Sequence, residues 1–71
     1  MKEDDIKKAI AYAGKSQRLV SKEINETPMN FNKKIKRETL KSDDMKKIAE
    51  SIGAEYKEYF KFPDGTKIGI K

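Results

Sequence analysis

A chain of 71 residues, 17 of them Lys or Arg and 12 Asp or Glu, has material for one compact unit and no second domain. With neither cysteine nor histidine it lacks disulfides and the usual zinc ligands, so helix packing and self-association are left to stabilise a small core. The formal charge of +5 favours an anionic partner; the opening MKEDDIKK, charged and without an apolar run, does not read as a signal peptide, and no stretch has the length and hydropathy of a membrane span. A cytoplasmic protein is the expectation.

In chain order, a first helix is predicted from Asp4 or Asp5 to Ala13, with Ile6, Ala9, Ile10 and Ala13 on one stripe and Gly14 as its stop. Ser16 is the candidate cap of a short second helix running to Ile24, where Val20 and Ile24 face inward and Ser21 is small enough to let another helix approach. Asn25 then stands where a sharp turn needs a positive φ. Thr27-Pro28 starts a third helix, because the threonine hydroxyl caps free amides and proline lacks a donor only where none is needed. In this helix, predicted over residues 28–36, Phe31 and Ile35 point inward and leave Met29, Asn30, Asn32, Lys33 and Lys36 pointing elsewhere. Leu40 reads as a buried link. Ser42 is the expected cap of a fourth helix with Met45, Ile48, Ala49 and Ile52 as its stripe and Gly53 as its end.

After Gly53 the period changes to alternation. Residues 56–62 and 66–70 read as the two strands of an antiparallel hairpin around Pro63-Asp64-Gly65. A three-residue loop pairs Phe62 with Thr66 and Phe60 with Ile68, and puts Phe60, Phe62, Ile68 and Ile70 on one apolar face. The predicted class is therefore mainly α: four short helices in residues 4–53 containing a helix-turn-helix, then a two-stranded hairpin in residues 54–71, all in one domain. A lone hairpin is marginal, so its apolar face must meet the helices or a second copy of the chain.

The charge is uneven. Residues 33–41 hold five basic side chains and one acidic, directly after the start of the third helix. A short helix, a tight turn and a second helix followed by positive charge suit double-stranded DNA, where the second helix enters the major groove and the first crosses the backbone. Met29, Asn30, Asn32 and Lys33 carry side chains able to contact base edges: asparagine pairs with adenine, lysine donates to guanine, and methionine touches a thymine methyl. Gln17 at the start of the second helix can offer its amide and a backbone N–H to a phosphate, and Lys36 and Arg37 suit phosphates also.

The run Ser16-Gln17-Arg18-Leu19-Val20-Ser21-Lys22-Glu23-Ile24-Asn25-Glu26-Thr27-Pro28-Met29-Asn30-Phe31 resembles the Cro and phage-repressor-type helix-turn-helix family, also called lambda-repressor-like or XRE-type. The likeness extends through Phe31-Asn32-Lys33-Lys34-Ile35-Lys36-Arg37 and Ile48-Ala49-Glu50-Ser51-Ile52-Gly53, over roughly residues 5–53, to short members from phages, mobile elements and Gram-positive bacteria. The resemblance implies a homodimer on an inverted-repeat operator and regulation of transcription as a repressor or autoregulator. It also implies a phosphate contact from Gln17, a cap and phosphate contact from Thr27, and outward positions for Met29, Asn30, Asn32 and Lys33. The sequence departs from the family pattern at Ser21 for alanine, Asn25 for glycine and Leu19 for a polar residue, and places a hairpin where many members have a fifth helix; dimerisation through that hairpin is the corresponding expectation.

No glycine-rich phosphate loop or nucleophile-base constellation points to an enzyme, and no cofactor, metal or small-molecule ligand is expected. The alternative reading is a helix-turn-helix scaffold that binds a protein, as an antitoxin or a phage-encoded inhibitor does, using Leu19, Tyr59 or the hairpin edge.

Overall fold

The computed structural model describes residues 2–70. Four helices, α1 (Glu3–Tyr12), α2 (Gln17–Glu23), α3 (Pro28–Arg37) and α4 (Ser42–Ile52), precede three short strands, β1 (Glu55–Tyr56), β2 (Phe60–Lys61) and β3 (Lys67–Ile68).

The helix starts follow from side chains that reach the free amides. Ser16 Oγ accepts from the Leu19 N–H at 3.1 Å and Thr27 Oγ1 from the Asn30 N–H at 3.2 Å, as expected of both caps. The first and fourth helices instead use a carboxylate inside the first turn. Asp5 accepts from the Lys2 N–H at 3.4 Å and Asp44 from the Lys41 N–H at 3.1 Å. This corrects the expected role of Ser42: Lys41 is the cap residue, and Ser42 is the first helical one, because Asp44 reaches back one position further. For the same reason α1 begins at Glu3, ahead of Asp4.

All four helices stop alike. The N–H groups of Lys15, Glu26, Thr39 and Ala54 return to the carbonyls of Ile10, Ser21, Lys34 and Ala49, with Gly14, Asn25, Glu38 and Gly53 left-handed just before them. Ala13 and Ile24, expected to close α1 and α2, are the cap residues beyond each helix, and α3 continues one residue past 36 to Arg37.

The sheet is antiparallel in the order β1-β2-β3, where two strands were expected. The predicted strand 56–62 is cut by Glu58, whose φ of 64° reverses the chain and sets Tyr56 opposite Phe60. Glu55 lies opposite Lys61, an opposite-charge cross-strand pair. The second turn has the expected register. Phe62 N–H donates to the Thr66 carbonyl at 2.9 Å, Gly65 N–H donates to the Phe62 carbonyl at 3.0 Å, and Phe60 pairs with Ile68. Ile70, expected on the buried face with Phe60, Phe62 and Ile68, is 58% exposed because the ladder ends at Ile68.

One cluster forms the core: Ile6, Ala9, Ile10, Val20, Phe31, Ile35, Met45, Ile48, Ala49, Ile52, Phe60, Phe62 and Ile68. Helical and sheet residues therefore share a single interior, and Leu40, Ile24 and Tyr56 pack half-buried against it. Ser21 is fully buried and donates its hydroxyl to the Arg18 carbonyl at 2.7 Å, so a small polar residue sits inside without an unpaired group.

Tyr12 ties α1 to the second turn. Its ring meets Phe62 edge-on with centroids 4.7 Å apart, and its hydroxyl donates to Asp64 and accepts from Thr66 Oγ1 at 2.9 Å. The Tyr12 hydroxyl, followed by the Thr66 N–H, holds the Asp64 carboxyl below its ordinary value of 3.8. A depressed carboxyl contributes stability above its unfolded pKa and loses it as pH falls through the folded one. The stability gap between the native chain and Tyr12→Phe should therefore be constant near neutrality and shrink below pH 3.8 in chemical-denaturation titrations. A gap independent of pH would separate Asp64 from the effect.

Candidate nucleic-acid interface

The third helix is fixed at its buried side by Phe31 and Ile35, which are 1% and 0% exposed. At about 100° per residue this leaves Met29, Lys33, Lys36, Arg37 and Asn30 on the opposite half of the helix. All five are exposed. Lys33, Lys36 and Arg37 make no ion pair among the described residues, so their charge is available to a partner.

Asn32 lies on the flank and is half-buried, which separates it from the outward group with which the sequence had placed it. Lys34 occupies the other flank and reaches back 2.8 Å to Glu26 in the turn between α2 and α3. That carboxylate holds Lys34 above the ordinary lysine range. Lys34 thus braces the turn, and the basic run after Asn32 divides by helix face into one cation paired with Glu26 and three outward ones.

The turn itself comes from local chemistry. Asn25 takes φ 59°, the Glu26 N–H closes on the Ser21 carbonyl at 2.8 Å, and Thr27 opens the next helix two residues later. Gln17 is the first residue of α2 and half-buried, while Thr27 is exposed with its hydroxyl engaged in the cap. The charges at the helix starts differ. The first turns of α1 and α4 hold Glu3, Asp4, Asp5 and Asp43, Asp44, whereas that of α3 holds no acid, so its positive end is not neutralised by its own sequence.

Behind α2, on the side of α4, Lys15 Nζ donates to Glu23 at 2.8 Å and to the Ser51 carbonyl, and Ser51 Oγ donates to the same Glu23 oxygen at 2.8 Å. Lys15 and Ser51 hold the Glu23 carboxyl below its usual range. This polar link joins the α1–α2 loop, the end of α2 and the end of α4; nothing in the residue types alone signalled it. Two concavities elsewhere on the surface are shallow: one of about 350 Å³ between Gly53–Glu55 and Lys61–Pro63, and one of about 440 Å³ between Glu23–Glu26 and Lys47, Glu50 and Ser51. Neither includes the outward residues of α3. Among the described residues no helix is long and apolar enough to cross a membrane.

Compared with protein-family models, curated proteins and solved structures, the chain matches none.

Proposed function

We propose that the protein is a sequence-specific double-stranded DNA-binding regulator of transcription, a repressor or autoregulator, that presents α3 to the major groove. The observation that carries this reading is the outward half of α3, where two base-competent side chains, Met29 and Asn30, stand beside three cations with no partner among the described residues. Phosphate neutralisation supplies affinity and base edges supply sequence preference, and this face offers both chemistries on one rigid element. The short α2, the braced turn and the acid-free start of α3 support the same orientation. In this reading Lys33 reaches bases or phosphates, Lys36 and Arg37 meet phosphates, and Gln17 and Thr27 meet the backbone at the edges of the groove.

Enrichment of bound duplexes from a random pool at moderate salt tests the proposal, with Asn30→Ala, Lys33→Ala as the comparison. The native chain is expected to select an inverted repeat and the double variant an altered or degenerate motif. Selection of no motif by the native chain would overturn sequence-specific regulation. A second reading, a scaffold for a protein partner, is favoured by Leu19, which is 44% exposed on α2; it predicts capture of that partner that survives loss of Lys33, Lys36 and Arg37.

A further inference from the structure

Met29 is 69% exposed, more than Tyr12 at 49%, Leu19 at 44% or Ile70 at 58%. It is the second residue of α3, immediately after the Thr27-Pro28 cap, and the rest of the outward face is polar or cationic. Helical side chains lean toward the N-terminus, so this thioether projects at the leading tip of the helix. Met45, by contrast, is 4% exposed and fills the core, which absorbs its hydrophobicity in the ordinary way.

A long apolar side chain at the tip of a groove-facing helix gains affinity only where the groove floor has apolar surface to cover. In the major groove the apolar group that projects furthest is the methyl on C5 of a pyrimidine; unmethylated cytosine has only a C–H there, and the remaining edge groups are hydrogen-bond donors and acceptors. We propose that Met29 recognises a pyrimidine C5-methyl group, carried by thymine or by 5-methylcytosine, at one position of each half-site. This rests on the reading of α3 as the groove-facing helix and narrows the thymine-methyl contact open to Met29 to one position of each half-site, with 5-methylcytosine as a second carrier of the same group. The thioether suits the task because its unbranched, polarizable chain adapts to a methyl without offering a hydrogen bond that would discriminate the rest of the base edge.

The test begins from the duplex enriched by the native chain and replaces each thymine in turn by deoxyuridine, which removes the methyl and nothing else. At one position per half-site the dissociation constant should rise about fourfold, the value for one buried methyl-sized group. In Met29→Ala the thymine and deoxyuridine duplexes should bind equally at that position, and Met29→Leu should restore the preference. Replacing the thymine·adenine pair there by 5-methylcytosine·guanine or cytosine·guanine separates the two sources: a gain for the methylated cytosine extends recognition to modified DNA, and a gain for thymine alone assigns thymine as the target. Equal binding of thymine and deoxyuridine at every position by the native chain, with its motif intact, overturns the role of Met29 while leaving sequence-specific binding in place. Persistence of the preference in Met29→Ala overturns it likewise. If no motif is enriched at all, the reading of α3 falls and this inference with it.

Discussion

In the proposed complex, replacing Lys33, Lys36 and Arg37 together by alanine should lower the slope of log affinity against log salt by roughly 1.8 per bound protomer where Lys33 meets a base and roughly 2.7 where it meets a phosphate, at about 0.9 for each phosphate contact removed. At moderate salt the affinity for duplex DNA should fall on the order of a hundredfold. The fold should be unaffected, since all three side chains are exposed and make no ion pair among the described residues. Lys34→Ala provides the contrast. Its ammonium is held by Glu26, so its loss should loosen the turn and change the salt slope little. Titrations of affinity at several salt concentrations decide the matter: an unchanged slope in the triple variant would take these cations off the phosphates.

Phe60→Ala should have the largest effect on stability. Phe60 is fully buried in β2, inside the cluster that also contains Ile6, Phe31 and Ile48. Truncating a buried phenylalanine costs about 3–5 kcal/mol, against a total of about 4–10 kcal/mol for a chain of this length. The midpoint of thermal unfolding should drop by about 12–40 °C, at ~4–8 °C per kcal/mol for a small domain. Because helices and sheet share one interior, the helical circular-dichroism signal should move with the tertiary signal in a single transition. Helices that melted at an unchanged temperature would make the sheet an appendage instead of part of the core.

Legibility in the sequence was greatest where one residue type has one strong local use. Thr27-Pro28 and Ser16 marked their helix starts correctly, and Pro63-Asp64-Gly65 fixed the loop length and so the pairing of Phe60 with Ile68. Glu38 and Glu58 were illegible because glutamate has no preference for the left-handed region; their φ of 55° and 64° is imposed by the closing hydrogen bonds after α3 and by the need of β1 to reach β2. That is why a continuous strand was expected where the chain turns back. Ser42 misled because a serine before an apolar stripe has the appearance of a cap, while Asp44 supplies the bond. In the candidate site, composition located the positive charge and helical spacing located its face. The displacement of Asn32 to the flank and the pairing of Lys34 with Glu26 were not legible, since they depend on how far the core extends around α3 and on the position of Glu26 across the turn.

On α3, duties are divided by position. Thr27, Pro28, Phe31, Lys34 and Ile35 begin, anchor and brace the helix, while the side chains of Met29, Asn30, Lys33, Lys36 and Arg37 take no part in the cap, the core or an ion pair among the described residues. Surface substitutions free of such roles typically change stability by no more than about 0.5 kcal/mol. The outward positions are therefore evolutionarily separable from the scaffold: a duplicated copy can drift in the chemistry of that face one codon at a time, each intermediate remaining a folded protein on which selection can act.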